Sequence, residues 1–161
     1  MFRNADLFVG KIDVDYWFDA NQESKANDER KHIFEQSKTG VRPYLENRRV
    51  RTFNDGEEIL PGIWTILAPG HTAGHTMYRI ESNEHAIVFF GDLVHSAEVQ
   101  MPDPSVAIKL DSDEVKAIAS RKEWLQQFAR DNTLVAGAHV SFPGFGHVSQ
   151  NASGFVWLPL P

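Results

Sequence analysis

The sequence predicts an α+β fold, and three observations lead to it. The chain has 161 residues, enough for one domain with a substantial core. After Arg49 it contains short β-rich runs separated by the turn signals DG, PG and SNE, a pattern typical of antiparallel strands. Residues 111–129 then carry apolar side chains at helical spacing. Strands mixed with helices in this way indicate an α+β or layered α/β body.

The first third of the chain is expected to be mainly helical. Residues 5–9 (ADLFV) predict a short buried strand, and residues 12–18 (IDVDYWF) predict a short aromatic-rich helix. The polar run ANQESKANDER is expected to be solvated. A longer helix is predicted from about Asn27, and it is expected to end near two residues that disfavour helix interiors, Gly40 and Pro43.

The remainder is predicted to contain a meander of strands, then one helix, then a buried strand, a loop and a C-terminal segment. The strands are VRTF, EEIL, IWTILA, HTMYRIE and AIVFFGD. The helix is expected to start at Asp111 as N-cap, with Glu114 completing a capping box. A buried strand, TLVAGA, is then expected to lead into a loop, HVSFPGFGH, before GFVWLPLP closes the chain.

Composition argues against several classes of protein. The net charge of -6 and the isoelectric point near 5.6 do not suit binding to nucleic acid or to an anionic membrane, because both depend on a basic surface. No apolar run approaches the ~20 residues of a membrane span. Since cysteine is absent, any metal has to be held by His, Asp or Glu. A cysteine-free composition fits cytosolic and periplasmic proteins alike.

The stretch APGHTAGHTMY places His71 and His75 four residues apart in a frame of small residues. Pro69, Gly70 and Gly74 disfavour a helix here and predict a tight loop. A histidine in such a loop can ligate a metal through one ring nitrogen while a partner fixes the other. The alternative is a pair of turn histidines that bond backbone carbonyl groups.

The stretch FFGDLVH ends a predicted strand at Gly91 and places Asp92 at its tip. A carboxylate at the end of a buried strand is costly unless it is hydrogen-bonded or bound to a cation. Asp92 is therefore a candidate metal ligand whose two oxygens could bridge two ions. The alternative is a turn aspartate that caps backbone amides. His95 is a possible neighbour, although a surface histidine is the simpler expectation.

The stretch TLVAGAHVSFPGFGH places His139 directly after another predicted strand, and His147 follows a loop rich in proline and glycine. A metal ligand at the end of a buried strand is chemically sensible. Two histidines and one aspartate at strand ends or in tight loops form a donor set suited to zinc or a similar borderline metal. These residues are His71, Asp92 and His139.

The aromatic run Tyr16, Trp17 and Phe18 has two interpretations. The side chains could line a substrate pocket beside an apolar helix. Packing into the core is the alternative use of such residues.

Taken together, APGHTAGHTMY, FFGDLVH and AGAHVSFPGFGH resemble, in order and spacing, the later metal-binding motifs of the metallo-β-lactamase fold superfamily. The run VQMPDPSVAIKLDSD and the SFPGFGH loop are similar to its methyl parathion hydrolase-like members. The resemblance implies an αββα sandwich in which His71 and His139 each ligate a metal and Asp92 bridges the two ions. It also implies that His75 and His147 lie behind the ligands, and that Trp17 and Phe34 line the substrate pocket.

The HxHxDH signature of that superfamily does not occur in this sequence. The opening run, FRNADLFVGKIDVDYW, resembles the segment that follows the signature in complete members. We therefore expect residues 1–161 to be the C-terminal portion of one such domain, incomplete on its N-terminal side. Such a portion is expected to bind at most one ion weakly, where the complete family binds two, and to expose a sheet surface through which it could form a homo-oligomer.

The function implied by the resemblance is hydrolysis of a small ester, lactone or phosphotriester by a metal-bound hydroxide. Zinc is the expected metal. The alternative is a catalytically inactive fragment, or an α/β interaction module whose histidines are structural. No nucleic acid or membrane is expected among its partners.

Overall fold

The computed structural model describes residue 2 and residues 4–161, which form two compact units. The first unit extends to Asn54, and the second runs from Asp55 to Pro161. The elements of the first unit are β1 (Leu7–Gly10), α1 (Lys11–Trp17), α2 (Ala20–Lys25), α3 (Asp28–Glu46) and β2 (Val50–Phe53). Those of the second unit are β3 (Glu58–Leu60), β4 (Ile63–Leu67), β5 (Thr76–Ser82), β6 (His85–Phe89), α4 (Ala97–Gln100), α5 (Glu114–Asp131), β7 (Val135–Ala136), β8 (Phe145–Asn151) and β9 (Gly154–Pro159). The α+β class that the sequence predicts is confirmed.

In the first unit, β1 and β2 form a parallel pair, with Leu7 opposite Val50 and Gly10 opposite Phe53. The prediction that VRTF belongs to the antiparallel meander is therefore wrong. A parallel pair needs a long crossover connection, and the helices α1 to α3 supply it. Nothing in the local sequence of β2 distinguishes a parallel strand from an antiparallel one.

The polar run after Asp19 is mostly exposed, in agreement with its expected solvation, and its first part is helical. The Asp19 side chain accepts a hydrogen bond from the backbone N–H of Asn21 and so caps α2. Glu23 of this helix forms an ion pair of 2.5 Å with Lys38 of α3. A cap and a cross-helix ion pair therefore hold a segment that has no buried residue of its own.

Helix α3 begins as predicted, because the side chain of its N-cap, Asn27, accepts a hydrogen bond from the backbone N–H of Arg30. It does not end near Gly40 and Pro43 but continues through both to Glu46. Gly40 adjoins open space, and Pro43 removes only one helical hydrogen bond. Tyr44 is buried in the last turn, and this packing outweighs the low helix propensity of Gly40 and Pro43.

The second unit is built on one seven-stranded sheet, ordered from β3 to β9 in sequence order. Neighbouring strands are antiparallel except β6 and β7, which are parallel. One face of α5 contributes Leu125 and Phe128 to a core that includes Met77 and Phe90 of the sheet region. The predicted loop HVSFPGFGH is partly strand, since β8 already begins at Phe145.

Helix α5 starts two residues later than its capping box predicts. Asp113 is the N-cap, and its side chain accepts a hydrogen bond from the backbone N–H of Lys116. Asp111 is buried instead and has other partners, described below. Both aspartates precede the same apolar face, so the capping pattern alone does not choose between them.

Among the helices in the described part of the chain, none combines the length and the apolar character needed to cross a membrane.

Candidate metal centre

The topology of the sheet brings three sequence-distant segments to one edge. Strands β4 and β6 each run antiparallel to β5, and β7 runs parallel to β6. The carboxyl ends of β4, β6 and β7 therefore lie at the same edge of the sheet. His71 follows β4, Asp92 follows β6 and His139 follows β7, so their meeting at this edge is a consequence of strand order.

The loop that carries His71 is held tightly against the start of α5. Gly70 has a φ of +133°, and a Cβ atom there would lie only 2.0 Å from the backbone nitrogen of Ala117. The carbonyl oxygen of Gly70 accepts a hydrogen bond from the backbone N–H of Asp113, and the carbonyl oxygen of His71 accepts one from the backbone N–H of Ser112. Glycine is required here by both conformation and space, which explains the small residues around the histidines.

His75 supports the site through the backbone of Asp92. The Nε2 atom of His75 accepts a hydrogen bond of 3.0 Å from the Asp92 N–H. Because Nε2 accepts, Nδ1 carries the proton and donates it to the carbonyl oxygen of Ala68 at 3.0 Å. Both nitrogens of this buried ring are therefore hydrogen-bonded to the backbone, and its placement behind metal ligands stays a prediction.

Asp92 stands between two histidines from different segments. Its Oδ2 atom lies 3.3 Å from Nε2 of His71, and its Oδ1 atom lies 3.3 Å from Nε2 of His139. Each carboxylate oxygen thus faces a different imidazole. The residues named from the sequence as metal ligands come together in space, and their role as ligands stays a prediction.

His95 joins this cluster, so the expectation of a surface histidine is wrong. Its side chain is 16% exposed, and its Nε2 atom lies 3.9 Å from Oδ2 of Asp92. The ring stacks on that of His139 with a centroid distance of 4.4 Å and lies 4.6 Å from the ring of His71. Burial lowers the pKa of His95, and the neighbouring His71 lowers that pKa further. The ring is thereby favoured in the neutral form that binds metals.

Asp111 orients His71 from the side away from Asp92. Its Oδ1 atom lies 3.2 Å from Nδ1 of His71, while Oδ2 accepts a hydrogen bond from the backbone N–H of Ile108. A guanidinium nitrogen of the buried Arg121 lies 3.7 Å from Oδ2. Burial lowers the pKa of Arg121, and the negative charge of Asp111 opposes that shift. The sequence pattern predicts Asp111 as a helix cap, and no motif indicates its contact with His71.

We expect an Asp111→Asn variant to bind zinc about 10- to 100-fold more weakly, because outer carboxylates fix the ring orientation and raise the basicity of a ligating histidine. Isothermal titration with zinc measures the change. Asp113→Asn is a matched control two residues away, since asparagine also caps helices well. Equal zinc affinity in the two variants would remove Asp111 from the site.

The arrangement of donors fits a divalent cation. When Nδ1 of His71 donates to Asp111, Nε2 keeps its lone pair and faces a carboxylate oxygen at 3.3 Å. Two such electron-rich atoms repel unless a cation or a proton lies between them. Two donors at ~2.1 Å from a tetrahedral ion lie ~3.4 Å apart, close to the two separations at Asp92. Two pairs, His71 with Asp92 and His139 with Asp92, are therefore each spaced suitably for a metal ion.

The other residues predicted for the site have different surroundings. His147 lies on β8, where its Nδ1 atom is 3.1 Å from the carbonyl oxygen of Asn132, and its described contacts do not include the three predicted ligands. In the first unit, Trp17 and Phe34 are buried and pack against each other with ring centroids 4.8 Å apart. This contact agrees with the core-packing alternative, and their role in a substrate pocket stays a prediction.

The family of the chain follows from comparison with known proteins. A family model described as the metallo-beta-lactamase superfamily matches residues 4–139. The chain belongs to this superfamily. The comparison with curated proteins gave no match.

Two solved structures resemble nearly the whole chain. One is titled hydrolase AbOPH in the beta-lactamase superfamily, with 32% identity and a TM-score of 0.90. The other is titled AidC, a dizinc quorum-quenching lactonase in complex with a product, with 30% identity and a TM-score of 0.86. Each match covers 99% of this chain and 56% of the neighbour. A probable metal-dependent hydrolase from Staphylococcus aureus, at 19% identity and a TM-score of 0.56, shares the fold over 71% of this chain and 42% of its own.

Proposed function

We propose that the chain carries part of the active site of a metal-dependent hydrolase that cleaves an ester, a lactone or a phosphotriester. The observation that carries the proposal is the convergence of His71, Asp92 and His139 at one edge of the sheet. The similarity to a hydrolase and to a dizinc lactonase supports it. Zinc is the proposed metal, since imidazole and carboxylate donors in this geometry suit it.

The residues of the chain have distinct tasks in this proposal. A divalent metal bound here supplies Lewis acidity and a water nucleophile at neutral pH. His71, His139 and Asp92 would hold the metal, since each oxygen of Asp92 faces a different imidazole. His75 fixes the backbone of Asp92, and Asp111 fixes the ring of His71. The donors are therefore held in place before a metal or substrate arrives.

Several finer assignments belong to the same proposal. We propose that the chain is similar to the methyl parathion hydrolase-like members in particular, and that residues 1–161 belong to a single domain of that type. Trp17 and Phe34 are proposed to contribute apolar surface for a small-molecule substrate. Association of two copies through a sheet surface is proposed as the oligomeric form.

An assay of zinc-loaded protein against aryl esters, lactones and phosphotriesters tests the proposal. We expect turnover of at least one class, loss of that turnover when a chelator removes the metal, and recovery when zinc is restored. The exposed Glu98 provides a control, because Glu98→Gln should leave turnover unchanged. Zinc binding without turnover of any class would favour the inactive fragment or the interaction module.

A further inference from the structure

The site contains a fourth imidazole, that of His95, to which the proposed function assigns no role. Ligand atoms of His71, Asp92 and His95 all lie within 4.8 Å of one another. We propose that His95 is an additional ligand of the cation held by His71 and Asp92. This inference rests on the metal site of the proposed function and concerns how this chain completes it.

The distances require only a small movement. Nε2 of His95 lies 3.9 Å from Oδ2 of Asp92, and the same oxygen lies 3.3 Å from Nε2 of His71. Donors of a tetrahedral zinc ion lie ~3.4 Å apart, so a shift of about half an ångström places Nε2 of His95 at ligand distance.

The chemistry of His95 also points to a ligand. Its Nδ1 atom is buried, and within the described part of the chain no hydrogen-bond partner is found for it. A buried nitrogen without a partner is costly, and a side chain used only for packing would be better apolar. Coordination of a cation by Nε2 would explain why a histidine occupies this position, which the surrounding contacts do not explain.

The loop holds His95 in position independently of any metal. The buried Gln100 accepts hydrogen bonds from the backbone N–H groups of His95 and Ser96, at 2.7 and 3.2 Å. Its amide group donates to the carbonyl oxygen of Val106. The ring itself lies between those of His71 and His139. Backbone and ring are thus both fixed, which is the condition for a well-defined ligand.

Together these contacts describe a site with three imidazoles and one carboxylate. His71 and His95 face Oδ2 of Asp92, and His139 faces Oδ1. The donors of His71, Asp92 and His95, which lie within 4.8 Å of one another, equal in number the three protein ligands of a catalytic zinc site.

The test removes the two nitrogens of the His95 side chain while keeping an aromatic ring at this position. A His95→Phe variant preserves the stacking on His139 but removes both donors, and His85→Phe makes the same exchange at the exposed start of β6. Zinc alone is titrated into each protein by calorimetry. Cobalt(II) alone is titrated as a second probe, since its visible absorption reports coordination number and ligand type.

We expect His95→Phe to weaken zinc binding by about 10- to 100-fold and to change the cobalt spectrum, with His85→Phe unchanged in both. Circular dichroism checks folding, and His95→Asn replaces the phenylalanine variant if the larger ring is not tolerated. If the folded variant has unaltered zinc affinity and an unaltered cobalt spectrum, His95 is not a ligand, and the proposed function is not affected. Absence of zinc binding in the unaltered protein would overturn this role together with the proposed function.

Discussion

Replacement of Asp92 by asparagine is expected to weaken zinc binding by more than about 100-fold, beyond the range seen when only outer residues are lost. Each oxygen of Asp92 faces a different imidazole, at 3.3 Å in both cases. Asparagine offers one neutral oxygen and one amide that donates rather than accepts. The variant therefore loses the negative charge and one of the two contacts, with little change in shape.

Isothermal titration with zinc measures this effect, and Glu98→Gln removes one exposed carboxylate from the same segment as a control. Zinc affinity within about threefold of the unaltered protein would show that Asp92 does not bind the metal. The alternative of a turn aspartate predicts that outcome, because its backbone contacts survive in asparagine. The titration thus separates the two interpretations of FFGDLVH.

The strands of the second unit could be predicted because their signals are local. Turn residues and β-rich runs locate β3 to β6 to within a few residues. Pairing is different, since β6 and β7 lie more than 40 residues apart and their parallel contact is set by the whole fold. That contact brings His139 to the edge that holds Asp92. The motifs predict His71, Asp92 and His139 as ligands, but the proximity of these residues depends on this non-local pairing.

Residues behind the predicted ligands were harder to recognise. Asp111 has a valid local interpretation as a helix cap, and only burial against His71 and Arg121 reveals its contacts. His95 follows Asp92 by three residues in a short turn, a spacing that could have indicated proximity. Its burial depends on Gln100, which folds the segment back on itself. Such residues are identified by packing, which no short motif encodes.

The buried Arg121 shows how strongly this packing is expected to matter. Its side chain is 1% exposed, and its guanidinium group donates to the carbonyl oxygens of Leu93, Pro104 and Val106. These carbonyl groups belong to the segment that follows Asp92, and the charge of Arg121 lies beside Asp111. Helix α5 thereby holds both the segment after Asp92 and the carboxylate that contacts His71.

An Arg121→Met variant is expected to lower the free energy of unfolding by about 3–5 kcal/mol, because Asp111 remains as a buried charge without its cation. Three carbonyl groups also lose the hydrogen bond from Arg121, and only that of Val106 keeps a described side-chain donor, Gln100. Methionine fills much of the volume, so the loss reflects polarity rather than a cavity. Urea denaturation followed by tryptophan fluorescence measures it. Arg130→Met is the control on the same helix, where the arginine is exposed and a change within about 0.5 kcal/mol is expected. If the two variants had similar free energies of unfolding, Arg121 would not be needed to stabilise Asp111 or the segment that follows Asp92.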